Sequence, residues 1–318
     1  MVNQLSNMSV VKSFSFPKGE IRGDMFYIQH GSNSFTVIDC YLLSNSENKE
    51  NNRQIEIIDE IVEKSDDRIR RFISTHPDND HIAGIEELYK SWETYNFYAV
   101  DNDIPSDANN PSLTKYLELK KEHNFAIKRG ISRCWLNESN DENKGSGIWF
   151  EWPLLSNTKF KDALANASKG KNVNNICPIF TYSIEDGPRY MWMGDLETDM
   201  QQEYYDTYSE TIPRVNILFQ PHHGRKSASV PSDLLEKLNP QLIIIGNAPS
   251  EYIDYGDTKS TITQNTSGDL MFVNEGEYVH IYSQNEVNNK PKGLQKLLPK
   301  MISPDKRTPH YIGSLKVM

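Results

Sequence analysis

Four residues able to ligate a metal fall within six positions of this chain, in the run Ser74-Thr75-His76-Pro77-Asp78-Asn79-Asp80-His81. A short strand pattern, Arg71-Phe72-Ile73-Ser74-Thr75, leads into the run, and a helical pattern from Ile82 to Trp92 follows it. A turn at a strand's end aims alternate side chains at one point, because the backbone's own bonds are made upstream. Imidazole together with carboxylate suits Zn²⁺, Mn²⁺ or Fe. His76 and Asp78, one residue apart, can serve one ion, and the adjacent Asp80-His81 pair can serve a second. Pro77 stiffens the turn and reduces the entropy lost in forming such a site. The competing reading is a surface turn in which Asp80 caps the next helix. Capping requires one such residue, not four, and the metal reading is the stronger.

Two later segments repeat the arrangement of an apolar strand ending in metal-type ligands. Tyr190-Met191-Trp192-Met193 runs into Gly194-Asp195, whose carboxylate can bridge two ions. Ile217-Leu218-Phe219 runs into Gln220-Pro221-His222-His223-Gly224, followed by Arg225 and Lys226. Adjacent histidines point in different directions, so one can meet metal or substrate while packing holds the other. Arg225 and Lys226 can hold a phosphate, and a solvated loop explains them equally well. A Gly-Asp turn or a His-His pair alone says little; three ligand-bearing strand ends in order say much more.

The rest of the chain reads as one soluble α/β unit. Met25 to Ile28 and Phe35 to Ile38 form a hairpin across Gly31-Ser32-Asn33-Ser34, and Ile55 to Lys64 has helical spacing. Strands recur at Ile148-Trp149-Phe150, Ile179 to Tyr182 and Leu242 to Ile245, with a short helix from Asp233 to Leu238 capped by Ser232. Residues 1 to 285 are expected to form the domain, with a polar insertion beside the core at about 101 to 145 and a basic tail over 286 to 318. The formal net charge of -10 argues against a broad nucleic-acid-binding face, which is usually basic. No apolar run is long enough to span a bilayer and no secretory leader pattern opens the chain. Cys40, Cys134 and Cys177 are scattered and read as buried thiols in a reducing compartment, so a cytoplasmic location is expected.

The segments His76-Pro77-Asp78-Asn79-Asp80-His81-Ile82-Ala83-Gly84, Gly194-Asp195-Leu196-Glu197 and Pro221-His222-His223-Gly224 together resemble the metallo-β-lactamase superfamily. Gly23-Asp24-Met25-Phe26 with Ile38-Asp39, and Phe150-Glu151-Trp152-Pro153, are similar to the hydrolase domain of ComEC-type competence proteins. The resemblance spans about residues 20 to 285 and implies a four-layer αβ/βα sandwich with metals at one edge between two sheets. It implies hydrolysis, in this branch usually of phosphodiesters, with two divalent ions, Zn or Mn, held by His76, Asp78, Asp80, His81 and Asp195. Catalytic roles fall to Asp80, His222 and His223, with a histidine protonating the leaving group. Arg225, Lys226 and Asn175 are the expected substrate contacts, although turn formation explains Asn175 equally well. Two positions depart from the family pattern: Asp78 stands where histidine is commoner, and no histidine follows Ile245-Gly246-Asn247. Asp257 can supply the late ligand as an oxygen. The expected substrate is a phosphodiester-type small molecule or nucleic acid. The alternatives are a catalytically weakened regulatory or effector subunit that binds a nucleotide or protein partner within a larger system, and a thioester or lactone hydrolase.

Overall fold

The computed structural model describes residues 8–16, 23–31, 34–42, 50–65, 68–94, 96–138, 145–183, 187–253, 260–297, 299 and 305–317. Among these, short apolar runs form strands that sort into two large sheets. The first sheet takes β1 (Met8–Ser13), β2 (Phe26–Gln29), β3 (Phe35–Ile38), β4 (Arg71–Ile73), β5 (Phe97–Ala99) and β6 (Asn124–Ala126). The second takes β7 (Ile148–Trp152), β8 (Ile179–Tyr182), β9 (Tyr190–Trp192), β10 (Ile217–Phe219), β11 (Leu242–Ile245) and β12 (Thr261–Thr263). The chain then returns to the first sheet with β13 (Leu270–Glu275), β14 (Tyr278–Ser283) and β15 (His310–Lys316). Strand order is β15-β14-β13-β1-β2-β3-β4-β5-β6 in the nine-stranded sheet and β7-β8-β9-β10-β11-β12 in the six-stranded one.

Eight α-helices among the described residues complete the layers: α1 (Glu50–Ser65), α2 (Asn79–Ile82), α3 (Ile85–Ser91), α4 (Pro111–His123), α5 (Thr158–Ala167), α6 (Thr198–Tyr208), α7 (Ser232–Leu238) and α8 (Gln264–Ser267). Ile57 and Ile61 of α1, Ile85 and Leu88 of α3 and Leu113 and Tyr116 of α4 bury against one face of the nine-stranded sheet, alongside Tyr27 and Phe72. Phe160 of α5, Met200 and Tyr204 of α6 and Leu234 of α7 join the core of the six-stranded sheet. Between the sheets, Phe180, Trp192 and Phe219 stack with centroids 5.3 and 4.8 Å apart, and Phe26 from the other sheet stands edge-on to Phe219 at 5.0 Å. Such contacts add about 0.5–1.5 kcal/mol per aromatic pair beyond the area they bury. The result is the four-layer αβ/βα sandwich that the sequence implies.

The β2–β3 hairpin is present, with Phe26 opposite Ile38. Several local expectations need correction. The helical pattern from Ile82 to Trp92 is split, because Ile82 and Ala83 bridge to Cys40 and Tyr41 and pull the backbone out of helix. Ser232 is the first residue of α7 and makes no capping bond. Residues 101 to 145, expected beside the core, instead contribute α4 to it and β6 to the sheet edge. The segment beyond residue 285, read as a tail, supplies β15, which pairs antiparallel with β14. Cys134 is exposed, whereas Cys40 and Cys177 are buried. No helix among the described residues is long and apolar enough to cross a membrane.

Candidate metal centre

Parallel pairing brings the ligand-bearing strand ends together. β3 and β4 run parallel with Ile38 beside Ile73, so Asp39 and the Thr75–His81 run leave the first sheet side by side. β9 and β10 are also parallel, so Asp195 and the His222-His223 pair leave the second sheet as neighbours. The two sheets meet at Gly194, where φ is +52° and an added Cβ would lie 2.8 Å from Thr75 Cβ. A side chain there is excluded both by backbone conformation and by space. His222 and His223 adopt left-handed backbone, with φ of 50° and 55°. For non-glycine residues this costs about 1–3 kcal/mol each, and it turns two adjacent imidazoles inward. β11 closes the group: a Cβ on Gly246 would lie 3.3 Å from His223 Cβ.

Three of the four imidazoles are arranged alike. His81 Nδ1 donates to Asp39 Oδ2 at 2.8 Å, leaving its Nε2 3.2 Å from Asp195 Oδ1. Asp39 is itself fixed by the backbone N–H and hydroxyl of Thr75, at 2.7 and 2.6 Å. His223 Nδ1 lies 3.1 Å from Asp24 Oδ1, and its Nε2 lies 3.7 Å from both Asp80 Oδ2 and Asp195 Oδ2. His76 meets Thr75 Oγ1 through Nδ1 at 3.1 Å and faces Asp78 Oδ2 through Nε2 at 3.5 Å. His222 meets Glu197 Oε1 through Nδ1 at 3.1 Å, with Nε2 3.5 Å from Asp195 Oδ2. His76, His81 and His223 are therefore each anchored by Nδ1 and present Nε2 to carboxylates, the way outer-shell partners orient metal-binding histidines.

The electrostatics follow from this packing. Burial opposes a charge on His81, yet Asp195 and Asp39 raise its pKa well above the ordinary value. His223 is likewise raised, to about 10, by Asp24 and Asp195 against the cost of burial. Burial works against ionisation of Asp195, but His81 and His223 hold it well below the usual carboxylate range. Burial opposes ionisation of Asp80 as well, but the nearby His223 and His81 lower its pKa to about 2.

Four buried atoms nevertheless find no hydrogen bond: Nε2 of His76, His81 and His223, and Oδ1 of Asp195. Unpaired polar atoms in a protein interior are costly, about 1–3 kcal/mol each, unless a ligand satisfies them. Asp24, His81, Asp195 and His223 each offer a ligand atom within 4.8 Å of the others. Nitrogen and oxygen donors of this number fit a divalent transition metal. The helix-capping alternative fares poorly: Asp78, not Asp80, occupies the N-cap of α2, and its side chain makes no capping bond.

Of the residues singled out from sequence, His76, Asp78, Asp80, His81, Asp195, His222 and His223 come together here. Asn175 lines an adjoining cleft of about 620 Å³ that shares Asp78 and Glu197 with the cluster. Arg225 turns inward, donating from Nη1 to His222 Nε2 at 2.9 Å. Lys226 is exposed, and neither cation lines the cleft. Asp257 lies outside the described residues. Sequence reasoning assigned no role to Asp24, Asp39 and Glu197, although each follows or precedes a strand that was recognised.

No protein-family model matches the chain, and no curated protein matches it. Among solved structures, the metallo-β-lactamase fold protein YhfI from Bacillus subtilis aligns over 76% of this chain and 87% of its own, at 14% identity and a TM-score of 0.42. A metallo hydrolase from the archaeon Ignicoccus hospitalis aligns over 76% of this chain and 88% of its own, at 14% identity and 0.41. A diphosphatase of the PhnP family aligns over 80% and 94%, at 10% identity and 0.39. On its own layers and strand order, the chain is a four-layer sandwich with helices outside two facing sheets.

Proposed function

We propose that the protein is a metal-dependent hydrolase acting on phosphodiesters, with its centre at the strand ends just described. The observation that carries the reading is the convergence of buried, unpartnered Nε2 atoms on the carboxylates of Asp195, Asp80 and Asp78. Asp24, Asp80, His81, Asp195 and His223 would hold one divalent ion, and His76 and Asp78, sharing Asp195, a second. Such ions, Zn or Mn, acidify water and neutralise charge developing on a substrate oxygen.

The chain's own residues have separable tasks. Asp39 orients His81, while Asp24, which faces His223 Nδ1, is counted among the ligands. His222, which meets the cleft residue Glu197 through Nδ1, is assigned the proton-transfer role. The similarity of Gly23-Asp24-Met25-Phe26 with Ile38-Asp39, and of Phe150-Glu151-Trp152-Pro153, to the ComEC-type branch supports a phosphodiester over a lactam; a lactone or thioester hydrolase would use the same residues. Asp257 is proposed as a further oxygen ligand, and Asp257→His would shift preference toward zinc.

Elemental analysis of the purified protein, combined with turnover of bis-p-nitrophenyl phosphate, tests the reading. Bound metal and turnover that both disappear in Asp195→Asn are expected. Turnover that persists after complete metal removal would falsify it, and metal without turnover of any ester would favour a binding subunit.

A further inference from the structure

The cleft beside the centre has an unbalanced wall. Asp78, Glu197 and Asp199 line it together with Asn174, Asn175 and Ser227, and among the described residues no lysine or arginine does. Several donors of that wall are already committed to the protein. Asn174 Nδ2 donates to Glu197 Oε1 at 3.1 Å. The Thr198 hydroxyl is spent on the carbonyls of Ser227 and Ser229, at 3.0 and 2.8 Å. Glu197 Oε1 also lies 3.1 Å from His222 Nδ1. What remains is rich in acceptors. Asn175 carries a buried amide oxygen with no hydrogen bond, and Asp199 gives only one oxygen to the backbone N–H of Met200.

An acceptor-rich, anionic wall does not suit a polyanion. It suits a group that brings hydrogen-bond donors and positive charge. The geometry points to a small phosphate ester whose other end carries a protonated amine, seated against Glu197 and Asp199 with its phosphoryl group toward Asp78 and the centre. The inference rests on the hydrolytic reading of that centre, and it makes Asp199 a specificity-determining residue. It also separates substrates that the strand-end motifs alone leave equivalent: an aminoalkyl ester is favoured, and a nucleic acid strand, with repeated negative charge, is not.

A matched pair of ligands tests this by calorimetric titration: 2-aminoethyl phosphate and ethyl phosphate, which differ only in the ammonium group. The wild-type protein should bind the amine-bearing ligand about tenfold more tightly, as a charge-assisted hydrogen bond allows. Asp199→Asn, which keeps the side chain's size at an exposed position, should shrink that advantage to about threefold or less. A short oligothymidylate should bind no better than ethyl phosphate. Equal affinity for the matched pair, an undiminished advantage in Asp199→Asn, or tighter binding of the oligonucleotide overturns the proposal. Metal content and bis-p-nitrophenyl phosphate turnover, measured on the same preparation, keep the two readings apart. Protein that takes up metal and turns over the ester without an amine advantage refutes only the substrate class. Protein with neither metal nor turnover refutes the hydrolase.

Discussion

Two buried clusters of charge lie against the nine-stranded sheet, and they are built on different principles. The first faces α1. Lys12 Nζ lies 3.3 Å from Glu60 Oε1 and 3.8 Å from Asp269 Oδ2, with all three side chains at most 1% exposed. Arg53 pairs with Asp269, Arg307 Nε lies 3.6 Å from Glu60 Oε2, and the Tyr27 hydroxyl donates to Glu60 at 2.9 Å. Lys12 Nζ, Glu60 Oε2 and Asp269 Oδ2 also lack a well-formed hydrogen bond, but they are of opposite charge and face one another. The second cluster, at the carboxyl ends of β3 and β4, leaves three imidazole nitrogens and a carboxylate oxygen unpartnered, atoms of the kinds that ligate a metal. A cluster that balances itself is structural. One whose unpaired atoms share the same kind of need calls for something from outside.

The largest effect that can test this contrast is Asp195→Asn. Replacing the carboxylate that faces three imidazoles should weaken metal binding by more than the ~10–100-fold that loss of an outer-shell partner costs. The fold should survive, because no strand pairing depends on this side chain; metal titration with circular dichroism reads both. A mutant that binds metal like wild type reduces Asp195 to a turn residue.

Lys12→Met should do the opposite. Leaving Glu60 and Asp269 without their shared cation costs about 3–5 kcal/mol in global stability, since a buried charge left unpaired is expensive. Metal affinity should not change. Urea unfolding supplies the first quantity and metal titration the second; a coupled loss of both would mean the clusters are not independent.

Asp39→Asn sharpens the comparison inside the centre. An amide keeps the size but cannot accept from His81 and Thr75 together as the carboxylate does. Metal affinity should drop about 10–100-fold, with a smaller effect on stability. If affinity is unchanged, the orientation of His81 is set by packing alone.

Arg307→Gln is expected to have the smallest effect. Arg307 is 17% exposed and joins the C-terminal segment to Glu60 and Glu63 of α1. Partly solvated pairs contribute about 0–1 kcal/mol, so the unfolding midpoint should move only slightly. A loss comparable to that of Lys12→Met would make the C-terminal segment an integral part of the buried cluster.

Much of the centre was legible because its ligands are adjacent in the chain. His76 to His81, Gly194-Asp195 and His222-His223 each advertise themselves beside an apolar strand. Asp24 and Asp39 did not, because a lone aspartate beside a strand is indistinguishable from a turn residue until its partner is known. Asp24 meets His223 across 199 positions of sequence and Asp39 meets His81 across 42. Arg225 was read as a phosphate contact from its charge alone, yet the turn at His222 directs it onto an imidazole. For the segments at 101 to 145 and beyond 285, polar composition concealed strands that pair at the sheet edge, where one side of each residue stays solvated.

By itself the sequence determined the chemistry of the centre: imidazoles and carboxylates at strand ends, and an alternation of strands and helices that fits a layered α/β fold. These are local properties, set by residue type and by spacings of a few positions. Tertiary structure alone decided which nitrogen of each histidine is free, which carboxylates hold the rings, and that the cleft beside them is lined by acceptors. Each of those depends on the register between distant strands, where a shift of one residue would turn the side chain to the opposite face.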